Sequence, residues 1–107
     1  MAIVVKPVSE EAFQRQVIAL ARLYGWRVAH FRSARTAKGW RTPVEGDKGF
    51  MDLVLARSGV VIIPELKTDV GIISADQQEW LDAIGSQARV WRPRDWAEIE
   101  LTLKGDS

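Results

Sequence analysis

Residues 52–67 read Asp-Leu-Val-Leu-Ala-Arg-Ser-Gly-Val-Val-Ile-Ile-Pro-Glu-Leu-Lys, and this stretch decides the fold. Two apolar runs flank the dipeptide Ser58-Gly59, which is typical of the two-residue turn of a β-hairpin. When these two residues form the loop, counting outward along both strands places Asp52 opposite Glu65. Directly opposed residues of an antiparallel pair point to the same face, with Cβ atoms about 5 Å apart. The sequence therefore predicts two neighbouring carboxylates on one face of the hairpin.

Lys67 adds an ammonium group to the same face, because it lies two residues beyond Glu65 and the side chains of a strand alternate between faces. Mg²⁺ prefers oxygen ligands and typically takes only one or two carboxylates from a protein. A divalent cation and a nearby positive charge lower the barrier to attack on an anionic phosphodiester. We therefore expect Asp52, Glu65 and the backbone carbonyl of Leu66 to bind Mg²⁺ or Mn²⁺. Lys67 is then placed to orient or deprotonate the attacking water.

Each of these residues also has an ordinary interpretation when it is taken alone. An aspartate before a strand is common in turns, and a Glu-x-Lys pair on a strand is commonly a solvated ion pair. The predicted register brings Asp52, Glu65 and Lys67 together, and Glu65 follows closely after the apolar run 60–63. This combination favours a catalytic function.

The composition is that of an ordinary globular domain. The chain has 107 residues, of which 47% are hydrophobic and 27% charged, so we expect one domain over residues 1–107. The absence of cysteine excludes disulfides and thiolate metal sites. No apolar run approaches the roughly 20 residues of a membrane-spanning helix, and the N-terminus lacks a signal-peptide pattern, so we expect a cytoplasmic protein without a membrane partner.

The order of predicted elements gives the fold class. Apolar residues recur at helical spacing over 10–24, and the capping-box pattern Ser74-Ala75-Asp76-Gln77 opens a second helix that Gly85 closes. Strands are predicted at 26–31 and 88–91, and Asp95 is expected to cap a last helix. The prediction is an α/β fold with a mixed sheet flanked by helices in the order α-β-β-β-α-β-α, its final strand parallel to the strand of Glu65.

The segment 32–49 has no periodicity, and we expect it to be a long mobile loop. It holds most of the basic excess, because six cations lie between Arg27 and Lys48 against only Glu45 and Asp47. Such a concentration favours a polyanionic partner. The residues predicted to contact DNA are His30, Arg32, Arg35, Lys38, Trp40, Arg41 and Lys48.

Two further residues have alternative interpretations. Glu10 shares a helix face with Phe13, Gln14 and Val17, so it is either a third metal ligand or a first-turn acid favoured by the helix dipole. Gln77 is either the capping-box partner of Ser74 or a polar contact in the site. The sequence does not separate these alternatives.

Six blocks of this sequence, in order, resemble the VRR-NUC (virus-type replication-repair nuclease) family of the PD-(D/E)XK restriction-endonuclease-like superfamily. The resemblance covers residues 9–103. It implies that Asp52, Glu65 and Lys67 are catalytic, that Glu10 joins a Mg²⁺ or Mn²⁺ site, and that Gln77 lies beside it. The blocks are Ser9-Glu10 with Phe13-Gln14, Gly25-Trp26 with His30, Gly49 to Val54, Glu65-Leu66-Lys67, Gln77 with Trp80-Leu81, and Trp91-Arg92-Pro93 with Asp95-Trp96.

The resemblance further implies a homodimeric endonuclease that cuts branched DNA such as four-way junctions, in a bacterium or a phage-infected cell. Met51 departs from the family pattern, which usually has proline there, and Pro64 stands where a small or apolar residue is common. A proline in a central strand also suggests a bulge that disturbs the register. The alternative function is a non-catalytic nucleic-acid-binding or scaffold domain that keeps the nuclease fold.

Overall fold

The computed structural model describes residues 8–31, 45–105 and the backbone of residues 34–36 and 39–41. Within these residues the chain forms three α-helices and six strands, with short 3-10 helices before β6 and α3. The elements in order are α1 Glu10–Leu23, β1 Arg27–His30, β2 Ala34–Thr36, β3 Gly39–Arg41, β4 Leu53–Arg57, β5 Val60–Leu66, α2 Ala75–Ile84, β6 Ala88–Trp91 and α3 Trp96–Lys104. The predicted α/β class is confirmed.

Four strands form a mixed sheet in the order β1-β4-β5-β6. β4 is antiparallel to both β1 and β5, and β6 is parallel to β5. The parallel pairing of the last strand confirms the prediction for the crossover through α2. None of the helices in the described part of the chain is long and apolar enough to cross a membrane.

The hairpin of β4 and β5 has the predicted two-residue turn. Ser58 and Gly59 both have positive φ, at 50° and 82°, as a type I′ turn requires. The pairs run from Arg57↔Val60 to Leu55↔Ile62. These pairs end before Pro64, so the position of Asp52 opposite Glu65 follows only if the same register continues outward, and it stays a prediction. β5 passes through Pro64, which pairs with Arg89 of β6, so proline does not end this central strand.

The core lies where alternate residues of the hairpin meet α1 and α3. Leu53, Leu55 and Ile62 share one face of the sheet because they occupy alternate positions in register. Burying these apolar side chains stabilises the arrangement by roughly 1.5–3 kcal/mol each. The helical members of the same buried cluster are Phe13, Val17 and Ala21 of α1 and Ile99 and Leu103 of α3.

Two local predictions are wrong. The segment 32–49, expected to be a loop without regular structure, contains β2 and β3, which pair antiparallel to each other in a separate two-stranded sheet. Strands of three residues are too short to produce a visible alternation in the sequence. Asp95 precedes α3 but does not cap it with its side chain; its Oδ2 instead accepts a hydrogen bond from the backbone of Arg92 at 2.9 Å.

Arg57 joins the hairpin to the ends of two helices. Its guanidinium donates hydrogen bonds to the carbonyl oxygens of Tyr24 and Leu103, at 2.9 and 3.0 Å, and lies 4.7 Å from the ring centroid of Trp26. The carbonyls at a helix C-terminus lack intrahelical partners, and a cation there also complements the helix dipole. This contact fixes the turn end of the sheet, at the opposite end of the hairpin from Asp52 and Glu65.

Candidate active site

The predicted carboxylates lie at the end of the hairpin remote from its turn. Asp52 precedes β4 and is half-buried, whereas Glu65 lies in β5 and is only 1% exposed. Glu65 is the one charged side chain that is buried in the described part of the chain. Burial of a charged group is costly unless partners compensate for lost water, so its contacts define the chemistry of the site.

The carboxylate of Glu65 is only half satisfied. Its Oε1 accepts a hydrogen bond from Gln77 Nε2 at 3.0 Å and lies 3.7 Å from Nζ of Lys67. Its Oε2 is buried and has no hydrogen-bond partner within the described residues. A buried carboxylate oxygen without a donor costs free energy, and a bound cation would remove that cost.

The pKa values of both carboxyls are raised above their ordinary values. Burial is the largest cause for Glu65, whose pKa rises from 4.5 to about 8; the charge of Asp52 adds to the rise and Lys67 opposes it. Burial also raises the pKa of Asp52 from 3.8 to about 6, with a further increase from Glu10. Two crowded carboxyls in a site of this kind favour either a proton or a cation between them.

Gln77 has both of the roles that the sequence left as alternatives. Its Oε1 accepts a hydrogen bond from the backbone N–H of Ser74 at 3.0 Å, which completes the capping box of α2. Its Nε2 donates to Glu65. The same side chain therefore fixes the start of α2 and holds one oxygen of the buried carboxylate.

Gln14 is a site residue that the sequence prediction missed. Its Nε2 donates a hydrogen bond to Oδ2 of Asp52 at 3.1 Å. The available signal was its position four residues after Glu10, on the face of α1 that was expected to approach the site. Each carboxylate is thus held by a glutamine amide, one from α1 and one from α2.

Glu10 is exposed at the start of α1, yet its charge contributes to the raised pKa of both Asp52 and Glu65. Glu10 was predicted as a third metal ligand beside Asp52 and Glu65. Within the described residues, however, no three His, Asp or Glu side chains are arranged to hold a metal ion. Leu66, the other predicted ligand, ends β5, and its side chain lies in the buried core.

The residues fit a divalent cation in their chemistry. Two carboxylates lie close together, one of their oxygens is buried without a donor among the residues that the structure describes, and both carboxyl pKa values are raised by burial and by neighbouring negative charge. Oxygen ligands of this kind suit Mg²⁺ or Mn²⁺, which retain several waters and need only one or two protein carboxylates.

The chain segment that leads into Asp52 is packed against α2. Trp80 Nε1 donates a hydrogen bond to the carbonyl of Lys48 at 3.0 Å, and Lys48 Nζ lies 3.7 Å from Asp76 Oδ2. Gly49 has φ of +88°, and a Cβ built on it would lie 2.5 Å from the Cβ of Asp76. Glycine is therefore required here by both the conformation and the close approach.

Only some of the residues predicted to contact DNA belong to the described part of the chain. Lys48 is exposed, and His30 is half-buried at the end of β1, where it pairs with Leu53 and so lies on the core face of the sheet. Arg32 and Lys38 lie outside the described residues, as do the side chains of Arg35, Trp40 and Arg41.

Replacing Gly49 by alanine tests the packing of this segment on α2. Gly49→Ala introduces the clash with Asp76. We expect it to lower the free energy of unfolding by about 1–3 kcal/mol more than the same substitution does at a glycine of positive φ that has no clash. Gly25→Ala is the matched control, because Gly25 has φ of +83° and nothing within 4 Å of its added Cβ. Equal losses for the two variants in urea unfolding would contradict this packing.

The pKa of Glu65 predicts how stability depends on pH. Because the folded-state pKa is raised, protonation favours the folded state, and stability falls as pH rises from about 4.5 to about 8. In EDTA, the free energy of unfolding of Glu65→Gln should equal that of wild type near pH 5. Above pH 8 it should exceed the wild-type value by an amount on the order of a few kcal/mol. Urea unfolding at several pH values measures this difference.

The control for that experiment is Glu100→Gln, which removes an exposed carboxylate from α3. Its stability should follow that of wild type across the whole pH range. If Glu65→Gln were no more stable than wild type at alkaline pH, ionisation of the buried Glu65 would not destabilise the fold, and this account of its pKa would be wrong.

Comparison of the chain with protein-family models, with curated proteins and with solved structures finds no match. The candidate site is therefore defined by its own geometry: two neighbouring carboxylates, each held by a glutamine, and an adjacent lysine.

Proposed function

We propose that this chain is a divalent-metal-dependent endonuclease that hydrolyses phosphodiester bonds in DNA. The observation that carries the proposal is the carboxylate of Glu65, which is buried, lies close enough to Asp52 for the two charges to interact, and has one oxygen without a hydrogen-bond partner among the described residues. A structural ion pair would satisfy both oxygens, whereas a metal site keeps one for the cation.

Asp52 and Glu65, together with the backbone carbonyl of Leu66, are the proposed ligands of Mg²⁺ or Mn²⁺. When bound, the cation supplies positive charge to the phosphate and acidifies its water. Glu10 lies close enough to raise the pKa of both carboxyls, and it adds to the negative potential that attracts the cation.

Lys67 is the proposed catalytic cation. Its side chain is 15% exposed and lies 3.7 Å from Glu65 Oε1, so its ammonium group is held beside the carboxylates but remains in reach of a ligand. In this position it stabilises the negative charge that develops on the phosphate and orients the attacking water. Gln14 and Gln77 act as positioning residues, because each fixes one carboxylate through a hydrogen bond.

The choice of DNA as substrate rests on the cations between Arg27 and Lys48 and on the resemblance to VRR-NUC nucleases. A restriction-endonuclease-like arrangement is the finer fold that we propose for the mixed sheet. With one site per chain, cutting both strands of a branched DNA requires two copies, so we include a homodimer in the proposal. A non-catalytic DNA-binding domain is the alternative.

Cleavage of labelled four-way-junction, flap, duplex and single-stranded DNA in Mg²⁺ or Mn²⁺ tests the proposal. Wild type should cut at least one of these substrates only when metal is present. Asp52→Asn and Lys67→Ala should each lower the rate by roughly 100-fold or more, since each removes a charge that acts on the reacting phosphate.

Lys104→Ala serves as the matched control, because Lys104 is an exposed lysine at the end of α3. It should leave the rate unchanged. Undiminished cleavage by Lys67→Ala would remove the proposed role of that lysine. Metal-independent DNA binding without cleavage of any substrate would favour the alternative function instead.

A further inference from the structure

Three aromatic side chains form a row beside the candidate active site. The ring centroids of Phe31 and Phe50 are 5.6 Å apart, and those of Phe50 and Trp80 are 4.9 Å apart, both in edge-to-face arrangements. Phe50 and Trp80 are half-buried, whereas Phe31 is 40% exposed. Phe31, at one end of the row, is therefore the most exposed of the three rings, and we call it the open end.

The open end lies next to Asp52. The last pair between β1 and β4 is His30↔Leu53. Just beyond it, the backbone N–H of Phe31 donates a hydrogen bond to the carbonyl of Asp52 at 2.8 Å. Phe31 is therefore opposite Asp52, and opposed residues share a face with Cβ atoms about 5 Å apart. The charge of Asp52 raises the pKa of Glu65, so the second carboxylate is close to the first. An exposed aromatic ring therefore lies beside the pair of carboxylates.

The other end of the aromatic row is unsuited to a polyanion. Trp80 lines a groove with the acidic residues Asp47, Asp76 and Glu79 and with one cation, Lys48, whose ammonium group lies 3.7 Å from Asp76 Oδ2. The indole N–H of Trp80 is bonded to the carbonyl of Lys48. Because three carboxylates outnumber the one lysine in this groove, its net negative charge repels phosphates. A nucleic-acid strand at Asp52 and Glu65 therefore meets the row at Phe31, with Phe50 and Trp80 behind it as support.

We propose that Phe31 stacks against an unpaired base next to the phosphodiester held at the site. Every base has an apolar face suited to an aromatic ring, but in an intact duplex those faces are covered by neighbouring bases. Contact with Phe31 therefore selects DNA whose bases are unstacked at the point of cleavage, such as single strands and branch points. This inference rests on the proposed function for the presence of DNA at the site and specifies its substrate class.

The edge-to-face packing also explains why Phe31 suits this role. The ring is held by Phe50, so little side-chain freedom is lost when a base stacks on it. An exposed aromatic ring that is already ordered makes a better stacking surface than a mobile one.

Fluorescence anisotropy in EDTA tests the inference without requiring catalysis. The probes are a labelled oligothymidylate and a labelled duplex. Phe31→Leu keeps an apolar side chain but removes the aromatic face, and it should weaken binding of the single strand by roughly tenfold while leaving duplex binding unchanged. Phe31→Tyr should restore the affinity for the single strand.

Leu101→Ala is the control, because Leu101 is an apolar residue of α3 that is 72% exposed. It should bind both probes as wild type does. Unchanged single-strand affinity in Phe31→Leu, an equal loss for both probes, or no binding of either probe by wild type would each overturn the inference. Failure of the nuclease proposal is seen separately, as absence of metal-dependent cleavage by wild type.

Discussion

The burial of the Glu65 carboxylate is the constraint on which the rest of the site depends. A carboxylate that is 1% exposed loses its hydration, and its nearest compensating groups are the amide of Gln77 and the ammonium of Lys67. Neither reaches Oε2. Burial, followed by the charge of Asp52, raises the pKa of Glu65 to about 8, so either a proton or a bound cation relieves the cost of burying this carboxylate. This cost, borne beside a second carboxylate, supports the proposal that the site binds a metal ion.

The two helices that flank the site are linked to the carboxylates by matching hydrogen bonds. Gln14 of α1 holds Asp52, and Gln77 of α2 holds Glu65. The chain entering Asp52 packs in turn on α2 through the close approach of Gly49 to Asp76. The relative position of the carboxylates is therefore set by helix placement as well as by strand register, and a displacement of either helix would move one of the two carboxylates.

Much of the hairpin could be predicted because its determinants are local. The positive φ angles of Ser58 and Gly59 define the turn, and the turn determines which residues of the two strands pair beside it. The hydrogen bond from Gln14 to Asp52 spans 38 positions and depends on how α1 packs on the sheet, which periodicity does not specify. The aromatic contact between Phe50 and Trp80 likewise forms only when distant segments meet. Strands β2 and β3 were missed because each has only three residues.

The most direct test of the account is the binding of Mn²⁺ to the purified chain, measured by electron paramagnetic resonance as the loss of the free-ion signal. Wild type should bind Mn²⁺ at a single site, whereas Asp52→Asn and Glu65→Gln should each weaken binding by roughly tenfold or more, since each removes one charged ligand. Glu100→Gln, which changes an exposed carboxylate on α3, should bind as wild type does. Equal Mn²⁺ affinity in Glu65→Gln and wild type, or no binding by wild type, would contradict the assignment of this buried carboxylate to a metal site.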